Sequence, residues 1–480
     1  MPDYVICSFR ITQSGDARGM IVNIHLRIKT APMRNIILIP VALAICLGAC
    51  TNSDSLIRPE LETFQRSDDY DYGLSDLAGA NTHSLTLTEA GFEWPVLTQG
   101  VDTALLEFSL QRTRGRIPAI EIDAGGVKLI QYFERGGRGR RYLDLSPLLK
   151  LNIEPGEFIE FSDLGAQWNS QPVTLVTFTN PPVEGRRVLV IAPHPDDAEI
   201  AAFGVYQSSI ADVVTVTAGD AGGANFESLW PSEGEQYRAK GRIRTLDSLT
   251  VPFLGGLKPE AVRNLGYYDG TLRRLWLARP NPVEPLLSEL EEPGYFRRLN
   301  FDPELRNRHF ESSWQALVAD LLRELERVQP QTVVAPHPRL DHHLDHQFTA
   351  IALFEALDKW GRECDILLYT NHAVGNEAFP LGPRNGLTGL PAWNGEGLHL
   401  RRLFSHQLTA EDQRRKLVAL EAMHDLRPFD LRDGREITPV PPIYDYFRRG
   451  VRPNEIFFVT DLDGVRAIYQ EFIDENKAIE

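Results

Sequence analysis

The stretch Arg187–Gly204, RVLVIAPHPDDAEIAAFG, constrains the fold more than any other part of this 480-residue chain. Val188 to Ala192 is a run of apolar and β-branched residues that reads as a buried strand. It stops at Pro193-His194-Pro195-Asp196-Asp197, and a helix-forming segment follows. In an open parallel sheet, ligands bind in the crevice beyond the carboxyl ends of the strands. Here that crevice would receive an imidazole and two adjacent carboxylates. Histidine and aspartate are common metal ligands, and paired carboxylates can divide metal binding and proton transfer between them. Alone, the stretch also reads as a strand-to-helix turn with an aspartate N-cap. A second stretch decides the matter. Thr332 to His346, TVVAPHPRLDHHLDH, again runs an apolar strand into Pro-His-Pro, an Asp/His cluster and a helix-like segment, Gln347 to Trp360. Two such clusters at the ends of two expected parallel strands point to a metal site.

The surroundings fit that architecture. Val213–Thr217 and Asp365–Tyr369 are further candidate buried strands, and Ser313–Val328 carries apolar residues at helical spacing before Pro330. This alternation over 186–480 predicts an α/β domain with a doubly wound parallel sheet flanked by helices. Gly219-Asp220-Ala221-Gly222-Gly223 forms a turn where backbone can approach a ligand closely. Its spacing is neither a phosphate loop nor a dinucleotide fingerprint. Thr271 to Phe310, rich in Pro and Arg, reads either as an insertion over the site or as a surface excursion.

Upstream, residues 85–180 hold short β-rich segments broken by Gly and Pro, the pattern of a smaller β-sandwich-like domain. Its aromatics, Trp94, Trp168, Tyr132 and Tyr142, are of a kind that stacks on sugars, but packing is the commoner use. Pro181-Pro182 and Gly185 mark the boundary between the two domains.

The amino-terminal region reads as an export signal. From Met33, the expected start, MRNIILIPVALAICLGAC gives a basic residue, a short apolar run and small residues before Cys50. Leu47-Gly48-Ala49-Cys50 resembles a bacterial lipoprotein box, with Cys50 the lipidated residue. Residues 1–50 are therefore expected to be a signal region and 51–84, polar and acidic, a flexible tether. That places the body in the bacterial cell envelope, held to the outer membrane by a lipid anchor and facing the periplasm. Cys7 and Cys46 precede the expected cleavage, so the mature body keeps Cys364 alone besides Cys50, with no internal disulfide and no cysteine zinc site. The net charge of −16 argues against nucleic acid as a partner.

PHPDDAE followed by His343-Leu344-Asp345-His346 is similar to the motif pair of the PIG-L/LmbE family of zinc-dependent N-deacetylases. Leu265-Gly266-Tyr267-Tyr268-Asp269-Gly270 also looks like a family element, and the likeness spans about Arg187 to Tyr369. The resemblance implies a Rossmann-like fold and hydrolysis of the acetyl group of an N-acetylated sugar or glycan. By the same resemblance His194, Asp197 and His346 would hold one zinc ion, with Fe²⁺ as the other candidate. Asp196 would be the general base, His343 the residue that polarises the oxyanion or protonates the leaving amine, and Asp345 a carboxylate orienting an imidazole. Arg238, Arg242, Arg244 and Asp269 are candidates for substrate binding. The chain departs from the family in lacking a Glu at the expected spacing near Tyr237–Arg244. Two other readings stand beside the deacetylase: a metal-dependent phosphoesterase, which would use more metals and ligands, and a non-catalytic glycan-binding lipoprotein.

The anchor reading has a direct test. Cys50→Ser should leave the precursor unprocessed and without lipid label in cells fed radiolabelled palmitate; labelling equal to wild type would refute it.

Overall fold

The computed structural model describes residues 69–115, 117–222, 230, 232–290, 292–374, 379–424 and 449–477. Cys50, the signal region and the first part of the expected tether lie outside these residues. Within 69–84 the tether reading is corrected. Tyr70, Tyr72 and Leu74 are buried, Tyr72 stacking on Phe458, so this segment is packed against the body.

The β-rich part begins at Asn81. Its strands are β1 (Asn81–Leu87), β2 (Gly91–Glu93), β3 (Thr103–Leu110), β4 (Arg112–Thr113), β5 (Ala119–Ala124), β6 (Val127–Tyr132), β7 (Gly139–Asp144), β8 (Phe158–Leu164), β9 (Ala166–Gln167) and β10 (Gln171–Phe178). Two four-stranded antiparallel sheets, ordered β1-β10-β3-β7 and β2-β8-β5-β6, enclose one apolar core. Alternation selects the inner face: Ile159 and Phe161 of β8 point in, while Phe158 and Glu160 are exposed. Trp94 and Trp168 lie in that core against Phe92 and Phe161, and Trp168 Nε1 donates to the Thr88 carbonyl at 2.9 Å. Packing is thus the use made of both rings.

The carboxy-terminal part alternates strands and helices: β11 (Arg187–Ala192), α1 (Asp197–Ala201), α2 (Phe203–Ser208), β12 (Ile210–Thr217), α3 (Glu233–Thr250), β13 (Val262–Tyr267), α4 (Leu272–Ala278), α5 (Pro303–Asn307), α6 (Trp314–Val328), β14 (Thr332–Pro336), α7 (Leu344–Trp360), β15 (Asp365–Tyr369), β16 (Arg402–Gln407), α8 (Ala410–Ala422), β17 (Asn454–Thr460) and α9 (Leu462–Lys477). Its seven-stranded sheet is ordered β13-β12-β11-β14-β15-β17-β16. The first five strands are parallel, and β17 and β16 add an antiparallel edge. Both faces of the parallel strands are covered, which explains their near-continuous apolar runs. Helix α6 starts at Ser313, whose side chain accepts from Ala316 N, and buries Leu317, Leu321 and Leu325 along one stripe. The strand order steps away from β11 on both sides, to β12 and to β14, so the loops after β11 and β14 face each other across a crevice.

Thr271 to Phe310 is no mere surface excursion. Ser288 Oγ donates to buried Asp220, and Leu286 covers Gly270, whose N–H donates to Asp345. This segment walls one side of the crevice.

The β-rich part and the α/β part meet at a buried polar cluster. Asp144, fully enclosed, accepts from Ser146, from Ser405 Oγ and from Asn454 Nδ2, while Thr103 Oγ1 accepts from Ser405 N. Removing that carboxylate leaves several buried donors without an acceptor. Asp144→Ala should therefore cost on the order of 3 kcal/mol, read as a lower denaturation midpoint, with Asp144→Asn costing less. An unchanged midpoint in the alanine variant would show that the joint does not depend on this group.

Candidate metal centre

Each strand end delivers its side chains where the sequence places them. After β11 the chain turns through Pro193-His194-Pro195, and Asp196 and Asp197 open helix α1. After β14 it turns through Pro336-His337-Pro338 and closes on His343-Leu344-Asp345-His346 at the start of α7. The two turns bring three donor atoms together. His194 Nδ1 stands 3.2 Å from His346 Nε2 and 3.3 Å from Asp197 Oδ2, and His346 Nε2 stands 3.2 Å from the same Asp197 oxygen. Ligand atoms of a tetrahedral zinc site, with bonds near 2.0–2.1 Å, stand roughly 3.3 Å apart. The donor types and their spacing fit a divalent ion.

Around that triangle the other bonds are already assigned. Asp197 Oδ2 accepts from His194 N at 2.8 Å, and Asp197 Oδ1 accepts from Asn371 Nδ2 at 2.7 Å. His194 Nε2 lies 3.1 Å from Asp269 Oδ1 and 3.3 Å from Asp345 Oδ2. The Asp345 carboxylate also accepts from Gly270 N and Leu272 N, and Asp269 accepts from Ala221 N. His346 Nδ1 faces Asp341 Oδ2 at 2.9 Å. Both imidazoles of the triangle therefore have a carboxylate on the nitrogen turned away from it, an arrangement that orients the rings.

The remaining expected residues divide. Asp196 Oδ2 receives Arg244 Nη2 at 3.0 Å, so Arg244 is the one of the three arginines that enters the site. Arg238 and Arg242 line a separate hollow of about 440 Å³ with Trp230 and Tyr295, whose walls include none of the site's residues. Asp269, expected to meet substrate, lies behind His194 instead. His343 sits edge-on to His194, its ring centroid 4.8 Å away, and its Nδ1 is buried without a hydrogen-bond partner among the described residues. His343 also groups with His194 and His346 as a possible ligand trio. His337 shapes its loop, Nδ1 accepting from Arg339 N. Asp341, Asn371 and His372 were not singled out from sequence. Asn371 and His372 follow the carboxyl end of β15, and that position was the available signal.

The electrostatics suit a cation. Burial alone would lower the His194 pKa, but Asp269, Asp197 and Asp345 hold it well above the usual histidine value. Burial likewise opposes a charged His346, yet Asp197 and Asp341 bring it up to about 10. Burial would raise Asp197, and His346 and His194 hold it well below the usual carboxylate range. His343 behaves oppositely: burial and the neighbouring imidazoles push it well below the ordinary value. Protons and a divalent ion compete for such donors.

Residues 189–357 match the family model described as PIG-L: GlcNAc-PI de-N-acetylase. No curated protein matches the chain. Among solved structures, the 4-carboxy-2-hydroxymuconate hydratase GalB of Pseudomonas putida aligns at 12% identity over 57% of this chain and 95% of its own, with a TM-score of 0.31. An acetyl xylan esterase from the rumen bacterium Butyrivibrio proteoclasticus aligns at 12% identity over 65% of this chain and 88% of its own, with a TM-score of 0.16. Overlaps this weak carry no argument about fold or chemistry. The motif pair, the donor triangle it builds and the family match all fall on the same stretch: residues 189–357 carry the likeness to the PIG-L/LmbE family.

Proposed function

We propose that this protein is a zinc-dependent hydrolase that removes the acetyl group from an N-acetylated sugar or glycan. The observation that carries the reading is the triangle of His194, Asp197 and His346 donor atoms, 3.2–3.3 Å on each side, inside a family of de-N-acetylases. The strand order and parallel pairing support a Rossmann-like domain. When bound there, a divalent ion supplies a Lewis acid for the amide carbonyl and makes water a stronger acid.

The chain's own residues do the rest. Asp196 adjoins the ligand Asp197 but is turned to Arg244, which keeps its carboxylate oriented beside the triangle. It takes the proton from the attacking water and can return it to the departing amine nitrogen. In this reading His343, its ring edge-on to His194 at 4.8 Å, hydrogen-bonds the carbonyl oxygen as charge gathers on it. Asp345 and Asp269 hold the His194 ring from behind. Because their oxygens are also engaged by backbone N–H groups, the arrangement suits one ion better than the multinuclear site of a phosphoesterase. Intact Asp196, Asp197 and His343 argue for an enzyme over a purely glycan-binding protein. In this reading Cys50 anchors the enzyme to the envelope membrane, supported by the Leu47–Cys50 pattern. No helix among the described residues is long and apolar enough to cross a membrane.

Acetate release from N-acetylhexosamine oligomers, assayed beside phosphate release from generic esters, tests the reaction class. Release of phosphate alone would overturn the proposal. The two aspartates should fail differently. Asp197→Ala and His346→Ala should lose zinc and turnover together. Asp196→Asn should keep zinc and lose about 10²–10⁴-fold in kcat with little change in KM. Zinc analysis with steady-state kinetics decides. Full metal occupancy in His346→Ala would defeat the ligand assignment, and loss of zinc in Asp196→Asn would exchange the roles of the two aspartates.

A further inference from the structure

We propose that Asp341 is a positioning residue that sets two of the three metal ligands, His346 directly and Asp197 by way of Asn371. The inference rests on reading His194, Asp197 and His346 as the ligands. Asp341 is fully buried, and four N–H donors converge on its carboxylate. Oδ2 faces His346 Nδ1 at 2.9 Å and accepts from Asn371 N at 2.9 Å and His372 N at 3.1 Å. Oδ1 accepts from His343 N at 3.0 Å.

The last bond, two residues on, is the ordinary turn bond of an aspartate and would serve a purely local role. The three bonds of Oδ2 leave that turn. They tie the loop after β14 to the loop after β15, which also pair through Val374 N to Leu340 O and His342 N to His372 O. Fixing the Asn371 backbone fixes its side chain, and that amide donates at 2.7 Å to the Asp197 oxygen outside the donor triangle. One carboxylate thus orients an imidazole from α7 and, through one intervening residue, a carboxylate from α1. A neutral amide of the same shape cannot reproduce this. With every group around it a donor, an Asn in place of Asp341 leaves one N–H pointing at another N–H.

The test is metal binding, measured apart from turnover. Zinc affinity of the full chain is determined by chelator competition, and the visible spectrum is recorded after Co²⁺ substitution. Asp341→Asn should bind zinc about 10–100-fold more weakly and shift the Co²⁺ bands, while its circular dichroism stays native. Asn371→Ala should weaken zinc several-fold. The double variant should lose less than the product of the two, because Asn371 acts from a backbone that Asp341 holds. If Asp341→Asn fails to fold, Asn371→Ala carries the test through the Asp197 arm. Wild-type zinc affinity and an unchanged Co²⁺ spectrum in either folded variant would overturn the proposal. A wild-type protein that shows these dependences but releases no acetate would defeat the deacetylase reading and leave this one standing.

Discussion

Everything in the α/β part is arranged around a concentration of buried negative charge. Asp197, Asp341, Asp345 and Asp269 lie within one shell of two imidazoles, and none is more than 9% exposed. Carboxylates withdrawn from water are costly unless donors replace the lost hydration. The replacements here are mostly backbone N–H groups of the turns that follow the parallel strands. His194 N serves Asp197, Gly270 N and Leu272 N serve Asp345, Ala221 N serves Asp269, and Asn371 N and His372 N serve Asp341. The parallel sheet is what brings five such turns to one edge. A cation held at the donor triangle would offset the charge that these dipoles leave over.

The same dependence explains which parts of the fold were legible in the sequence. Strands β11, β12, β14 and β15 are covered on both faces, so their apolar runs announce them. Strand β13 is equally buried, yet it reads VRNLGY and carries no apolar run to announce it. Its Arg263 is neutralised by Glu324 at 3.1 Å and Asp302 at 2.7 Å, and the backbone of Asn264 is matched to the Asn300 side chain. Those partners come from α6 and from the segment just before α5, far along the chain, so no local pattern could show that the polar residues were inside. Strands β16 and β17 escaped for a related reason. They pair antiparallel at the sheet edge, and the β-rich part covers them through Thr103, Asp144 and Asn180, another long-range debt.

For the site, ligand types and their grouping at strand ends were readable, because chemistry restricts which side chains bind a metal. Orientation was not. That Asp269 stands behind His194, that Arg244 and not Arg238 or Arg242 enters the site, and that Asn371 holds Asp197 are all consequences of helix phase and loop register. On α3, Lys240, Gly241 and Arg244 share the face turned to the crevice, with Lys240 Nζ on the Ala221 carbonyl and Gly241 against Asp220. Arg238 and Arg242 fall on another side of the helix. Gly241 is needed there because a Cβ would lie 2.6 Å from both Asp220 and Phe296.

The phase of α3 also separates the roles of two chemically identical neighbours. Asp196 is the N-cap and Asp197 the first residue of helix α1, so their side chains leave the backbone in different directions. Asp197 turns toward His194 and His346 and is locked by Asn371, so both its oxygens are engaged in holding the triangle. Asp196 turns toward the guanidinium of Arg244, which donates to its Oδ2 at 3.0 Å and balances its charge. A carboxylate in the first position serves a metal, since its geometry is fixed and its charge already committed. A carboxylate in the second stands beside the triangle without belonging to it, which is the position the proposed proton transfer requires. The division of labour proposed for the two aspartates therefore rests on what each finds opposite it, Asn371 in one case and Arg244 in the other.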